Sequence, residues 1–316
     1  MATSSAQTTA AVSGLLQEEL APRRERGLWS DAWRRLMKNR LAMFGLFALI
    51  IIAFVAFVGP HLPVLGRYGP NDQNYDPAMK QLGPTGSHWF GTDQLGRDMW
   101  ARTLEGLRIS LQIGVGTQVI VLVIGLLVGA GAALGGKLSD NLLMRMTDIT
   151  YAFPDLLFII LIRAALTDRD IFFVTNQKVL IIIAIAMVNW TTVARLVRGQ
   201  MLSLAERDFV LAARALGAPR WRIVMQHMLP NALGPVIVAI TFGIPVAIFA
   251  EAALSFIGFG VPPPAASLGT LVAIGYSTIQ RNVWNVIPAA GAVAVLMLCF
   301  TFLGDGLRDA LDPRTR

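Results

Sequence analysis

Long apolar runs separated by short polar segments form the dominant pattern of this chain. A bilayer core about 30 Å thick is crossed by about 20 residues of α-helix, and six runs come near that length. The third run is the weakest, because it contains Asp155 and Arg163. Six spans place both ends of the chain on one side of the membrane, whereas loss of the third would place them on opposite sides. The predicted spans are residues 41–58, a part of 109–136, about 149–166, 179–197, 231–259 and 283–303.

The polar segments between these runs predict further elements. Residues 1–27 are rich in Ala, Ser, Thr and Gln and predict a disordered cytoplasmic tail. Residues 28–40 place Trp29 and Trp33 at helical spacing with basic residues between them, which favours an amphipathic helix in the headgroup layer over a plain flank of the first span. Residues 59–108 form a long outer loop, so that residues 41–108 hold the first span and this loop.

The segment 198–230 predicts two short helices joined by a tight turn. Phe209, Ala212, Ala213 and Leu216 share one helical face, and Gly217 is suited to end that helix in the left-handed conformation. Pro219 suits the first turn of the second helix, whose predicted face is Trp221, Val224, Met225 and Met228, and Pro230 is predicted to mark the return to the membrane. Helices this short are marginal in water, so the segment indicates a separate cytoplasmic partner.

Composition supports lipid as the solvent of most of the chain. Of the 316 residues 54% are hydrophobic and 15% are charged, whereas soluble domains have about 25% charged residues. The formal net charge is +7, and with six spans the inner segments hold about twice as many of the 27 lysines and arginines as the outer segments. This bias follows the positive-inside rule, so the charge indicates orientation and no nucleic-acid partner. A tethered helix-turn-helix DNA binder is disfavoured, because the segment returns to lipid before a three-helix domain is complete.

Soluble-type active-site chemistry is missing from the pattern. Residues 131–138 have a glycine and lysine frame like a phosphate-binding loop, but Leu138 replaces the hydroxyl residue that holds magnesium. His61, His88 and His227 are scattered, and the single cysteine, Cys299, excludes an intrachain disulfide. We therefore predict no enzyme activity and no cofactor or metal site in this chain.

Residues near the end of the fifth apolar run are candidates for a pathway or gate. Glu251 is an acid inside an apolar run, and such acids are costly and often functional. It either lines a pathway or bonds Ser and Thr hydroxyls between helices. The aromatic and aliphatic residues beyond it suit an apolar constriction or ordinary core packing. The candidates are Glu251, Ser255, Phe256, Ile257, Gly258 and Phe259.

Four motifs carry a resemblance to a known family. The stretch LAARALGAPRWRIVMQHMLPN resembles the E-A-A-x-x-x-G-x(9)-I-x-L-P signature of permease subunits in bacterial ABC importers, with Leu211 in place of Glu and His227 in place of Ile. GTDQLGRD, MRMTDITYAFP and EAALSFIGFGVPPP occur in the order seen in the C-type permease subunit of the dipeptide, oligopeptide and nickel family. Leu268 stands where that family commonly carries Trp. The likeness covers about residues 28–313.

The resemblance implies an all-α integral membrane protein, a six-transmembrane-helix bundle of the ABC importer permease type with a cytoplasmic coupling helix. Its core is expected at 109–304 with five spans, followed by a cytoplasmic tail at 305–316. It implies a bacterial inner-membrane location with both termini cytoplasmic. The expected partners are a homologous B-type permease, two cytoplasmic ABC ATPase subunits that bind ATP and Mg²⁺, and an extracytoplasmic substrate-binding protein.

The resemblance also implies roles for residues. The expected ATPase-coupling residues are Leu211, Ala212, Ala213, Arg214, Leu216, Gly217 and Ala218, and the expected binding-protein contacts are Gly91, Thr92, Asp93, Gly96, Arg97 and Asp98. Peptides are the expected substrate, with nickel, glutathione or another small solute as the alternative. A secondary transporter or channel that works without an ATPase is disfavoured by the lack of a visible inverted repeat.

Overall fold

A computed structural model describes residues 28–167 and 176–312, so the predicted tail 1–27 and the last residues of the predicted C-terminal tail lie outside it. The described residues form an all-helical fold. Its principal helices are α1 (Leu28–Lys38), α2 (Arg40–Phe57), α3 (Met99–Leu134), α4 (Gly136–Ala152), α5 (Asp155–Thr167), α6 (Gln177–Ala205), α7 (Asp208–Ala215), α8 (Leu229–Phe256), α9 (Leu268–Ser277) and α10 (Ile287–Leu311).

Five helical stretches of the described chain are long and apolar enough to cross a membrane: Arg40–Phe57, Met99–Leu134, Gln177–Ala205, Arg220–Phe256 and Val283–Leu311. The all-α membrane fold predicted from the sequence is confirmed. A sixth crossing exists only if α4 and α5 together form one span, and these helices are bent by 95° at their junction.

The predicted third span is therefore not one straight helix. Proline disfavours the helical conformation in the residue before it and lacks a backbone N–H. Phe153, which precedes Pro154, accordingly has φ −82° and ψ 141°, an extended conformation that ends α4. Residues 137–148, which lie between the second and third predicted spans, are helical within α4.

Several predicted boundaries fall inside helices. The boundary at 108 lies within α3, a 36-residue helix that starts at Met99 because the Asp98 side chain caps it. The predicted interfacial helix 28–40 ends at Lys38, since Asn39 is extended and caps α2. The predicted tail from 305 is helical to Leu311, because Leu307, Ala310 and Leu311 of α10 pack against α1.

Helix α1 packs on the protein through one face and exposes another. Ala32 and Leu36 are buried with Ala310 of α10, whereas Trp29 and Trp33 are about half exposed. Exposed tryptophans are typical of a helix at a membrane interface, whereas Leu36 is part of the protein core.

Close packing of α3 on α6 forms the centre of the bundle. A Cβ atom on Gly129 would lie 2.5 Å from the backbone oxygen of Ala194, and one on Gly125 would lie 2.6 Å from Val193. Without side chains at these positions the two helices approach closely, as small residues allow in lipid. At Gly131, by contrast, a Cβ atom would lie an ordinary 3.4 Å from Leu143 of α4.

We predict that Gly129→Ala destabilises the bundle although alanine is the better helix former. The added methyl group has to push α3 away from α6, which costs about 1–3 kcal/mol. Thermal unfolding of the purified chain in detergent measures the effect. Gly131→Ala is the matched control, because its methyl group meets only an ordinary contact, and equal unfolding midpoints for the two variants would contradict the packing described here.

Candidate functional site

A glycine turn follows α7 at one end of the bundle. Gly217 has φ +77°, the left-handed conformation predicted from the sequence. The N–H of Gly217 donates to the oxygen of Arg214 (3.0 Å), and the N–H of Ala218 donates to the oxygen of Ala213 (3.1 Å). These two bonds form a Schellman motif, which satisfies the last carbonyl groups of the helix.

The predicted coupling residues divide between two faces of this corner. Ala213 and Ala218 are half-buried and pack against a cluster that includes Val210, Ile223 and Met228. The helical face predicted to contain Phe209, Ala212, Ala213 and Leu216 is largely exposed. The fully buried residue of α7 is Val210. The residues that project outward are Leu211, Ala212, Arg214, Leu216 and Gly217, and the Leu216 side chain is 89% exposed.

The helix that follows the turn runs directly into the membrane-spanning part of the chain. A turn at Arg220–Arg222 and a π-helical segment at Ile223–Met228 lead into α8 without a break. The helix is continuous from Arg220 to Phe256, so Pro230 does not begin it, and its role as the point of return to the membrane stays a prediction. In the π segment the N–H of Leu229 donates to Val224, five residues back, and Pro230 lies in the first turn of α8, where a missing N–H is tolerated.

The predicted segment 198–230 thus contains one short helix, α7, whereas the second predicted helix is the beginning of the long helix that ends at Phe256. Residues 198–205 belong to α6. Two ion pairs hold this end of α6 on α4: Arg198 binds Asp140 with both Nε (2.5 Å) and Nη2 (2.6 Å), and Arg195 binds Asp148 at 2.9 Å. Our sequence reasoning used these arginines only as markers of orientation and missed the pairs.

At the opposite end of the bundle, polar residues of the outer loop form a buried node. Oδ1 of Asp93 accepts the N–H groups of Leu95 (2.8 Å) and Arg97 (3.0 Å), and Oδ2 accepts Arg97 Nε (2.7 Å). The Nε atom of Arg102 lies 3.7 Å from the same Oδ2. Asp93 therefore closes the turn and forms ion pairs with Arg97 and Arg102.

Asp98 and Thr92 connect this node to the rest of the loop. Asp98 accepts the N–H of Ala101 at the start of α3 (2.8 Å), and its other oxygen lies 2.8 Å from His88 Nδ1. The Thr92 hydroxyl donates to the oxygen of Met79 (2.6 Å) and accepts the N–H of Leu82 (3.0 Å). All these contacts are internal to the loop.

The six predicted binding-protein contacts are all buried in this node, including Gly91 and Gly96, which both have positive φ. Buried side chains are not available for contact, so these residues shape the loop. The exposed residues of the turn are Gln94 and Leu95, which lie within the GTDQLGRD motif.

Glu251 is fully buried and joins α8 to the start of α9. Its Oε1 atom accepts the hydroxyls of Ser255 (2.6 Å) and Ser267 (2.5 Å). Ser267 also caps α9 by accepting the N–H of Thr270, and Ser110 of α3 accepts the N–H of Leu268. Of the two sequence hypotheses, this geometry matches hydroxyl bonding between elements.

The remaining pathway candidates lie at the end of α8. Gly258 has φ +87°, and the N–H of Phe259 donates to the oxygen of Leu254 (2.7 Å), a second Schellman motif. Phe256 and Ile257 are about half exposed, and the Phe256 ring lies 5.3 Å from that of Tyr276 in α9. Helix α9 is short and apolar, and our sequence analysis missed it because its ten residues are too few to span a membrane.

Within residues 28–167 and 176–312, no group of three or more His, Cys, Asp and Glu residues is placed to hold a metal ion.

Comparisons with known proteins agree with this architecture. The family model described as "Binding-protein-dependent transport system inner membrane component" matches residues 121–316, and the one described as "N-terminal TM domain of oligopeptide transport permease C" matches residues 27–84. The oligopeptide transport system permease protein OppC of Bacillus subtilis is 41% identical over 92% of this chain and 90% of its own length. The dipeptide permease DppC of Bacillus subtilis is 40% identical (90% and 86%), and Escherichia coli OppC is 39% identical (92% and 93%).

Solved structures support the same fold. An inward-facing structure of the MetNI methionine ABC transporter matches with a TM-score of 0.54 and 21% identity, over 68% of this chain and 98% of that chain. An amino acid ABC transporter matches with a TM-score of 0.52 and 21% identity, over 66% and 92%. The chain belongs to the family of inner-membrane components of binding-protein-dependent transport systems: it is a multi-pass permease subunit of a bacterial ABC importer, in which ATP is hydrolysed by a separate subunit.

Proposed function

We propose that this chain is the C-type permease subunit of an ATP-driven importer of peptides. The observation that carries the proposal is its identity of about 40% with permeases named for oligopeptide and dipeptide transport, over most of both chains. The chain forms the translocation pathway with a homologous B-type permease. Two cytoplasmic ABC ATPase subunits drive it, and an extracytoplasmic binding protein delivers the peptide.

The corner at Gly217 is the proposed contact with one ATPase subunit. Leu211, Ala212, Arg214, Leu216 and Gly217 face outward, and an exposed leucine as accessible as Leu216 is typical of an interaction surface when it lies beside other apolar residues. Ala213 and Ala218 hold the corner on the bundle from the other side. A displacement of the corner is then passed to α8 through the continuous helix that starts at Arg220.

The far end of α8 is the proposed gate. Phe256, Ile257 and Phe259 present exposed apolar surface around Gly258, which suits a constriction that closes by excluding water. Glu251 and Ser255 support this region from inside by fixing α9 against α8. The binding protein contacts the outer loop through the exposed Gln94 and Leu95, whose position the buried node defines.

Both termini are proposed to be cytoplasmic. The basic residues concentrate at the end of the bundle that contains α1, the ends of α4 and α6, and the Gly217 corner, as the positive-inside rule requires of a cytoplasmic side. Helices α1 and α10 pack together, which brings the two ends of the described chain to the same side.

The substrate class is tested by uptake. Proteoliposomes that contain the chain with its partner subunits, the binding protein and internal ATP should accumulate radiolabelled dipeptides or oligopeptides. Omission of the ATPase subunits is the control and should abolish uptake, because this chain supplies no nucleotide site. Accumulation of nickel or glutathione without peptide would reject the substrate assignment, and uptake without the ATPase would reject the ABC mechanism for this chain.

Coupling is tested at the corner. Gly217→Val forces a β-branched residue into a left-handed conformation, which costs about 1–2 kcal/mol and reshapes the turn without a clash, because a Cβ there meets nothing within 4 Å. We expect an assembled complex that still hydrolyses ATP but imports at least tenfold less peptide per ATP. The matched control is Gly291→Val, which also meets open space but has ordinary backbone angles. Equal transport stoichiometry in both variants would argue against the coupling role.

Orientation is tested with single cysteines. The native Cys299 is buried, so Leu216→Cys and Leu95→Cys provide reactive thiols at the two ends of the bundle. In intact spheroplasts a membrane-impermeant maleimide should label Leu95→Cys at once and Leu216→Cys only after permeabilisation. Labelling of Leu216→Cys from outside would invert the proposed topology.

A further inference from the structure

A large groove lies beside the Gly217 corner and has not been assigned a role. It has a volume of about 960 Å³ and separates the last turns of α3 from the turn at Arg220–Arg222 and the π segment. One wall is formed by Leu126, Leu127, Ala130 and Leu134 of α3, and the other includes Val224, Met225 and Met228. Both walls are apolar over most of their length.

The charged residues that line the groove, among those the structure describes, are Arg214 and Arg220, and no acidic residue lines it. Arg220 is adjacent in sequence to Trp221, which also lines the groove and whose side chain is 71% exposed. Arg220 is in the first turn of the long helix that ends at Phe256, where a cation is electrostatically unfavourable for the helix. Helix stability therefore does not account for this positive charge, and its position in the groove lining places it where an anionic group would be attracted.

The groove matches the dimensions of a lipid in one leaflet. Its α3 wall runs from Leu126 to Leu134, roughly 12 Å along the helix axis at 1.5 Å per residue. Half of a bilayer core is about 15 Å thick. Leu127 is 71% exposed in this wall, as expected for a residue that faces an acyl chain. Tryptophan and arginine at one end and aliphatic residues along the rest reproduce the polarity profile of the membrane interface.

We propose that this groove binds one anionic phospholipid of the cytoplasmic leaflet, with its acyl chain on the α3 wall and its phosphate on Arg214 and Arg220. Basic pockets between membrane helices on the cytoplasmic side bind anionic headgroups in this way. The inference depends on the proposed function only for the side of the membrane that the corner faces. A lipid seated here fills the space between α3 and the corner, so the contact that α7 makes with its partner depends on lipid composition.

The experiment uses the full-length chain with its copurified partner subunits. Native mass spectrometry counts the phosphatidylglycerol and phosphatidylcholine molecules that remain bound after titration of each lipid in detergent. The wild type should retain phosphatidylglycerol in preference to phosphatidylcholine. Arg220→Gln should weaken phosphatidylglycerol retention roughly fivefold, as expected for the loss of one basic residue.

Arg222→Gln is the matched control, because Arg222 is exposed in the same helical turn but does not line the groove. It should retain phosphatidylglycerol like the wild type. Ala130→Phe fills the apolar floor without a change of charge and should also reduce retention. Unchanged thermal unfolding of each variant confirms that the fold is intact.

Three results would overturn the proposal: equal retention of the two lipids, an equal loss in Arg220→Gln and Arg222→Gln, or loss of an ATPase subunit from Arg220→Gln with lipid retention unchanged. The last result would assign the groove to a protein partner. Failure of peptide uptake with intact lipid retention would reject the transport proposal and leave the lipid site standing.

Discussion

The fold depends on the unbroken backbone hydrogen bonding of one helical stretch of 37 residues, from Arg220 to Phe256. The helix passes through a π segment and contains Pro235 and Pro245, yet it does not break. A glycine in the left-handed conformation stands beyond each of its ends, Gly217 before it and Gly258 after it. The chain therefore turns at both ends of this helical stretch, and apolar residues are exposed at the turns at Gly217 and Gly258.

The helices around this stretch are held to one another by different kinds of interaction. Helix α3 packs on α6 without side chains between them at Gly125 and Gly129, and ion pairs from Arg195 and Arg198 hold α6 on α4. Near the other end, the Glu251 carboxylate binds hydroxyls on both sides of the turn that leads to α9. Apolar contact thus dominates within the membrane, and hydrogen-bonded polar groups fix the joints, where a buried group needs a partner.

Much of this arrangement was predictable from the sequence. The apolar runs predicted the long helices, and the left-handed turn at Gly217 followed from a glycine after a helical pattern. Pro154 was visible in the sequence, but the size of the bend it causes depends on how α4 and α5 pack, and no local rule supplies that. Pro230 lies directly after the π segment, and the helix continues through it, which the sequence pattern did not predict. Asp93 and Asp98 were recognisable from the sequence as motif residues. Their burial was not, because exposure depends on the tertiary structure. The sequence alone does not distinguish a polar loop residue that contacts a partner from one that closes its own turn.

The packing of the first helices on the last one has a consequence for how the chain is made. Gly45 of α2 lies against the backbone of Cys299, and Ala32 and Leu36 of α1 lie against Ala310. The ribosome completes α1 and α2 long before it completes α10, so during synthesis the first span enters the lipid with its eventual contact surface uncovered. That surface is covered only when α10 has been made, and a chain that stops short of α10 leaves its first two helices without this neighbour.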